Sequence, residues 1–190
     1  MVRRFHAGSS PTVASFVLLS VVGLVFGLLA GLAEVASAQE KPLSLGASYQ
    51  FPVRPPLRAY PDPEGTKLTD GIVSDSTSYT NPNWVGFWST QPFAIVLDLG
   101  RSVPIQRIRS HHMAGIAGIT WPTRLFVMVS DDQVSWSEPL EIEEPQYMPN
   151  ETQLRWFSFD NLNLQGRYVQ LVYFPPSEGR NIFISEIEVY

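Results

Sequence analysis

The chain has 190 residues, a net charge of −5 and no cysteine. The lack of cysteine excludes disulfides and lipid attachment at a cysteine, so the fold must be stabilised by its core and by any bound metal. The acidic balance argues against a basic surface for nucleic acid, and we expect no nucleic-acid partner. After the N-terminal segment described next, about 150 residues remain, enough for one domain with a full core.

The first 38 residues have the order of a secretory signal peptide. Arg3 and Arg4 form a basic start, residues 13–32 are uncharged and almost wholly apolar, and an Ala-Ser-Ala cleavage site ends at Ala38. Cleavage there would release a secreted or extracytoplasmic protein with no membrane span in its mature part. The alternative is an uncleaved membrane anchor, because about 20 apolar residues can span a bilayer. The predicted segments are a signal peptide at 1–38, a linker at 39–44 and one domain at 45–190.

Apolar residues recur with a period of two along several short runs of the mature chain. Phe93, Ile95 and Leu97 form the first run, and this period indicates a strand with one buried face. The pattern returns at 125–129, 157–159, 169–173 and 183–189. No stretch shows helical periodicity, so the sequence predicts an all-β, antiparallel β-sandwich.

The sequence also predicts one irregularity in the strands and the loops where function is expected. Ile105 and Ile108 break the period of two, which predicts a β-bulge near Gln106. Function is expected on the longer connections, because a rigid sandwich holds its loops in fixed positions. These connections are 72–92, 111–123, 143–152 and 174–182.

Five short segments occur in an order found in one family of β-sandwich domains. They are Lys-Leu-Thr-Asp-Gly at 67–71, Ile-Val-Leu-Asp-Leu-Gly at 95–100, Val-Ser-Asp-Asp at 129–132 followed by Trp136, Gly-Arg-Tyr-Val at 166–169, and Glu-Ile-Glu-Val at 186–189. From about Leu45 to Tyr190 the chain resembles the discoidin, or coagulation factor 5/8 type C, family, which includes galactose-binding-like carbohydrate-binding modules. The resemblance implies a jelly-roll β-sandwich whose two ends lie side by side.

The resemblance also implies a structural calcium ion that joins the first long loop to the last strand. Calcium takes about six to eight oxygen ligands from carboxylates, carbonyls and hydroxyls. Carried over by position from the family, the ligands are Lys67, Asp70, Ile72, Asp75, Ser185 and Glu186. Asp75 stands where the family often has a hydroxyl residue, so Ser76 or Thr77 is an alternative. Without a metal, Asp70 would cap its own turn and Glu186 would be a solvated strand residue.

Aromatic and planar polar residues in the loops are the candidate glycan contacts. A sugar ring has an apolar face and a rim of hydroxyls, so it needs an aromatic platform and a few polar groups at fixed angles. The candidates are Trp84, Phe87, Trp88, His111, His112, Trp121, Arg124, Tyr147, Phe174, Arg180 and Asn181. The resemblance favours one histidine, Asn181, Phe174 and an arginine, either Arg124 or Arg180.

Some of these candidates have a structural alternative. Trp84 and Trp88 could simply cover one end of the sandwich, and Trp136 and Trp156 are expected to pack rather than to bind. Adjacent side chains on a strand point to opposite faces, so at most one of His111 and His112 would join the site.

No catalytic motif stands out: the chain has no G-x-S-x-G, H-E-x-x-H or P-loop sequence. We therefore predict a secreted, non-catalytic carbohydrate-binding module whose partner is a glycan or glycoconjugate. One alternative is a protein-interaction or cell-surface adhesion domain that uses the same loops. Another is a phospholipid-binding discoidin domain. A concave aromatic site would favour a sugar, whereas flat or protruding aromatics would favour a protein or a lipid.

Overall fold

This computed structural model describes residues 40–190, which contain nine β-strands joined by loops. The strands are β1 (Ser48–Gln50), β2 (Val85–Ser89), β3 (Phe93–Ile105), β4 (Ile108–Ala114), β5 (Arg124–Ser130), β6 (Leu140–Glu143), β7 (Gln153–Phe159), β8 (Leu164–Phe174) and β9 (Arg180–Val189). The predicted signal peptide lies outside the described residues. Among the residues that are described, no helix is long and apolar enough to cross a membrane.

The strands form two sheets, with the orders β1-β3-β8-β5-β6 and β2-β9-β4-β7. All strand pairs are antiparallel. The late strands β8 and β9 lie inside their sheets, between strands from the first part of the domain. The predicted all-β antiparallel sandwich is therefore confirmed.

The core lies between the sheets and follows the predicted alternation. Phe93, Ile95 and Leu97 of β3 are fully buried, and Leu171 and Tyr173 of β8 pack in the same cluster. Burying one such side chain contributes about 1.5–3 kcal/mol. The core therefore accounts for much of the stability of a domain that has no disulfide.

A second apolar cluster covers the outer face of the four-stranded sheet. Its buried members are Trp84, Met113, Ile119 and Phe183. The Trp84 indole N–H donates to the carbonyl of Ser76 at 3.3 Å, which fixes the long segment before β2 onto the sheet. Phe87 is fully buried in the main core. Trp84 and Phe87 are thus structural residues.

The connection between β3 and β4 differs from the sequence prediction. The predicted bulge near Gln106 is wrong: the parity break marks the two-residue connection through which the chain passes from the five-stranded to the four-stranded sheet. The N–H groups of Gln106 and Arg107 both donate to the carbonyl of Tyr190 there. Register shifts occur instead between Asp98 and Val103 and at the two adjacent histidines of β4.

The segment predicted as a linker is partly attached to the sandwich. The Leu43 N–H donates to the Val189 carbonyl at 2.6 Å. The Ser44 hydroxyl is buried and donates to the carbonyl of Ile187, while it accepts from the N–H of Val189. These bonds bring the two ends of the domain side by side.

Antiparallel pairing places four connections at one end of the sandwich, which we call the loop end. They join β2 to β3, β4 to β5, β6 to β7 and β8 to β9, and span 90–92, 115–123, 144–152 and 175–179. The connection 131–139, which carries Trp136, lies at the opposite end.

Candidate functional site

A cleft of about 670 Å³ opens at the loop end, between the β6–β7 connection and the start of β7. Its lining includes Trp121, Glu144, Gln146, Tyr147, Gln153 and Arg155. Trp121 and Tyr147 are two of the aromatic candidates that the sequence indicated. The cleft is concave and combines aromatic rings with planar polar groups.

Backbone contacts between two connections shape this cleft. The Trp121 N–H donates to the Tyr147 carbonyl at 2.8 Å, and the Glu144 N–H donates to the Thr123 carbonyl at 2.8 Å. At the far side, Gly115 adopts a φ of 91° and lies directly under the backbone of Glu151. The β4–β5 connection therefore supports the β6–β7 connection along its length.

The two aromatic rings of the cleft have different roles. Trp121 is almost fully buried and packs edge-on against Phe157, with ring centroids 5.8 Å apart. Tyr147 is half-buried, and its hydroxyl donates to Glu178 at 3.4 Å. Trp121 is thus the floor, and Tyr147 packs partly against the core and lines the cleft with its exposed part.

An ion pair provides the charged part of the cleft. Arg155 pairs with Glu144, and its guanidinium lies over the Phe157 ring at 4.1 Å. Glu144 also accepts from the N–H of Gln146 at 2.9 Å. These contacts hold the guanidinium in one orientation, with N–H groups left over that can donate to ligand oxygens.

Sequence reasoning missed Arg155 and Glu144. On β7, Arg155 has the same inward parity as the buried Phe157 and Phe159. A charged residue at an inward position near the start of a strand is the sequence signal that could have identified it. Glu144 carried no signal of its own, because its role depends on a partner 11 residues away.

Arg124 and Phe174 are brought together, but outside the cleft. They are register partners of β5 and β8 on the outer face of the five-stranded sheet. The Arg124 guanidinium lies 4.8 Å from the ring centre of Phe126 and 5.4 Å from that of Phe174, and it pairs with Glu141. Phe174, the favoured late aromatic, and Arg124, one of the two favoured arginines, thus lie outside the cleft.

His111 and His112 lie within β4 and are both buried, rather than in a binding loop. They point to opposite faces, as expected. His111 stacks on Trp84 with centroids 5.7 Å apart, and its Nδ1 lies 2.7 Å from the Ser185 hydroxyl. Burial lowers the pKa of His111 to about 4.

His112 points into the core, where its Nε2 lies 2.8 Å from the Ser110 hydroxyl, and burial lowers its pKa well below the usual value. Both rings are therefore neutral and enclosed, and neither lines the cleft.

Trp88, Arg180 and Asn181 lie on the other side of the 175–179 turn. Trp88 and Asn181 are register partners of β2 and β9. Arg180 Nε donates to Glu178 at 3.4 Å, and Glu178 is the residue that Tyr147 also contacts. The turn therefore separates this group from the cleft while it touches both.

Asp70 and Glu186, the two acids expected to share a cation, are neighbours in the fold. Glu186 is 1% exposed, and one carboxylate oxygen accepts from the Gly71 N–H at 3.2 Å while the other has no partner. Burial raises the pKa of Glu186 to about 8, the Gly71 hydrogen bond opposes this rise, and the adjacent charge of Asp70 adds to it. The Asp70 side chain is exposed, and one of its oxygens accepts from the Ile72 N–H at 2.8 Å, so that Asp70 caps its own turn. An acidic turn thus lies beside a buried carboxylate that has one unpaired oxygen, which is an arrangement that a cation would stabilise.

The other predicted ligands surround this pair to different degrees. The Ile187 N–H donates to the Leu68 carbonyl at 2.7 Å, which holds the turn against β9. The Ser185 hydroxyl accepts from the Ser74 N–H at 3.3 Å. Lys67 directs its ammonium to the Pro61 carbonyl, and the side chains of Ile72 and Asp75 are exposed.

In residues 40–190 no three His, Asp or Glu side chains are grouped so that they could hold a metal. A cation here would need backbone carbonyls in addition to the two carboxylates, as calcium sites commonly use.

Comparisons with known proteins concern the fold. No protein-family profile and no curated protein matches the chain. A fucose-binding module of Streptococcus pneumoniae, SpX-3, has 14% identity over 80% of this chain and 98% of its own, with a TM-score of 0.58. The lectin domain of lectinolysin, solved with the Lewis B antigen, has 12% identity over 80% and 96%, with a TM-score of 0.55.

A third solved structure is CpGH89CBM32-6, produced by Clostridium perfringens. It has 15% identity over 78% of this chain and 98% of its own, with a TM-score of 0.51. At such identities the likeness concerns architecture alone. It agrees with the resemblance that the five sequence segments indicated, and the chain therefore has the discoidin-like, galactose-binding-type β-sandwich fold.

Proposed function

We propose that the domain is a non-catalytic carbohydrate-binding module that holds a glycan in the cleft at the loop end. The observation that carries the proposal is the cleft's combination of one accessible ring with an immobilised guanidinium in a concave site. Solved structures with the same fold are described as binding fucose and as bound to the Lewis B antigen, which supports this class of ligand.

The chemistry of the cleft suits a sugar better than a lipid or a flat protein surface. Tyr147 can cover the apolar face of a pyranose, and burial of that face contributes roughly 25 cal/mol per Å². Arg155, Gln146 and Gln153 offer planar donors and acceptors for hydroxyl groups. Glu144 is paired with Arg155 and accepts from a backbone N–H, which suits a positioning role.

A glycan array with residues 39–190 tests the proposal. We expect binding, and we expect Tyr147→Ala to weaken it about tenfold or more, which corresponds to about 1.4 kcal/mol. Tyr168→Ala is the matched control, because Tyr168 is also half-buried but lies on β8 away from the loop end. If no glycan binds, the protein-interaction or adhesion alternative takes over. If Tyr147→Ala binds as the parent does, the cleft is not the site.

We also propose a structural calcium ion held by the carboxylates of Asp70 and Glu186, with Lys67, Ile72 and Ser185 contributing carbonyls and Asp75 a further oxygen. The unpaired buried oxygen of Glu186 supports this assignment. Such an ion would join the loop after β1 to the last strand. Its test accompanies the Glu186 prediction in the Discussion.

The proposal includes export, because the order of the first 38 residues is that of a signal peptide. N-terminal sequencing of the protein from the medium or the extracytoplasmic fraction should begin at Gln39. Recovery of the full-length chain in the membrane fraction would instead support an uncleaved anchor.

A further inference from the structure

Trp88 is the most exposed of the five tryptophans, with 46% of its surface accessible. Single exposed apolar residues are common and by themselves indicate nothing. Trp88 differs because its ring is braced, because it adjoins the cleft through a shared turn, and because polar side chains lie beside it.

Gly179 braces the indole. Its φ is 78°, and a Cβ built there would lie 2.9 Å from Cζ2 of Trp88 and 2.8 Å from the methyl group of Thr90. The turn therefore packs closely against one edge of the ring while the rest of the ring stays open. A ring held in this way loses little conformational entropy when a ligand covers it.

The same turn links Trp88 to the cleft. Gly179 touches Trp88, while the preceding Glu178 accepts from the Tyr147 hydroxyl. A second connection runs through Asn181, the register partner of Trp88, whose carbonyl accepts from the Thr120 N–H at 2.9 Å. Thr120 is followed in the chain by Trp121, the floor of the cleft. The two aromatic positions are therefore linked through one turn and one backbone hydrogen bond.

Strand spacing sets the separation of the two positions. Trp88 lies on β2 and the cleft adjoins β7, and these are the two edge strands of the four-stranded sheet. Three spacings of about 4.8 Å place the edges roughly 14 Å apart. A single sugar ring cannot reach from one position to the other, whereas a short oligosaccharide can. Asn181 is on β9, which lies between the two edge strands, and it shares a sheet face with Trp88, so its amide can offer a donor and an acceptor to such a chain.

We infer that Trp88 is a second aromatic subsite. The domain would then bind oligosaccharides that extend from the cleft across the 175–179 turn more tightly than it binds free monosaccharides. This inference rests on the proposed glycan-binding function. Trp88 would then contribute to the affinity for an oligosaccharide but not to the affinity for a monosaccharide.

The test compares short and long probes with the same terminal residue. Calorimetric titrations use free L-fucose, D-galactose and D-glucosamine, and array measurements use oligosaccharides that end in each of them. Trp88→Ala should weaken oligosaccharide binding about tenfold or more while monosaccharide affinity stays within about twofold of the parent. Trp88→Tyr keeps a ring and should retain most of the binding. Trp136→Ala, which removes an indole from the opposite end of the sandwich, is the matched control.

Each outcome separates the subsite from the proposed function. If the parent binds oligosaccharides and Trp88→Ala binds them equally well, the second subsite is overturned while glycan binding in the cleft stands. If Trp88→Ala weakens monosaccharides and oligosaccharides alike, Trp88 belongs to the primary site and the inference is again overturned. If the parent binds no probe at all, the glycan function itself fails, and the subsite with it. Melting curves establish that the variants are folded, and Trp88→Tyr provides the comparison if Trp88→Ala is not.

Discussion

Replacing Gly115 with alanine is expected to destabilise the domain by about 3 kcal/mol or more and to abolish glycan binding. The φ of 91° is one that side-chain-bearing residues rarely adopt. A Cβ there would lie 2.6 Å from the carbonyl carbon of Glu151 and closer still to its oxygen. Because the obstacle is backbone, the β6–β7 connection must move, and with it the wall of the cleft. Urea unfolding at pH 7 measures the first effect, and the glycan array measures the second.

Gly118→Ala is the control for backbone conformation alone. Gly118 lies in the same connection with a φ of 72°, but a Cβ there meets no heavy atom within 4 Å. We expect a loss of about 1–2 kcal/mol, the cost of the left-handed conformation, with glycan binding retained. Equal losses for the two variants would show that Gly115 does not support the β6–β7 connection.

Replacing Glu186 with glutamine is expected to remove both a pH dependence and a calcium dependence of stability. Burial, reinforced by Asp70, raises the pKa of this carboxyl from the ordinary 4.5 to about 8 when no cation is present. The folded protein then binds the proton more tightly than the unfolded chain does. The stabilising contribution is complete below about pH 4.5 and is lost as the pH rises through about 8, with an amplitude on the order of 4 kcal/mol.

Glutamine keeps the shape of Glu186 without its charge. In chelator, the stability of Glu186→Gln relative to the parent should therefore rise steadily from pH 5 to pH 8.5. Taking the difference cancels the titration of groups that the two proteins share, including the two buried histidines. Urea unfolding at a series of pH values measures this difference.

Calcium should reverse the comparison. The parent should gain about 2.7 kcal/mol at a hundredfold excess of calcium over its Kd, and the variant should gain nothing. Glu178→Gln is the control, since Glu178 is exposed on the 175–179 turn and should leave both dependences intact. A parent whose melting temperature is the same in chelator and in calcium would contradict the metal assignment. Parallel pH profiles for parent and Glu186→Gln would contradict the buried charge.

The strands were accessible from the sequence because a strand's burial pattern is local. Phe93, Ile95 and Leu97 report their common face through a period of two, whatever lies on the other side of the core. The order of the five family segments then indicated the sandwich. The same order suggested a link between Asp70 and Glu186 across more than a hundred residues, and the structure places the turn that carries Asp70 against Glu186 of the last strand.

The ligand-facing surface was decided only by the tertiary structure. His112 and Tyr147 look alike in sequence, as aromatic side chains near a connection, yet His112 is enclosed in the core, whereas Tyr147 stays half-buried and lines the cleft. Strand parity turns Arg124 to the outer face of its sheet and Arg155 inward, and only the tertiary structure brings Glu144 of a distant loop against Arg155 at the cleft. Access to a ligand depends on register and on how distant loops pack on one another. Those contacts form between segments whose sequences do not indicate which distant segment they will contact. The hydrophobic period of each strand, by contrast, can be recognised from the strand's own sequence.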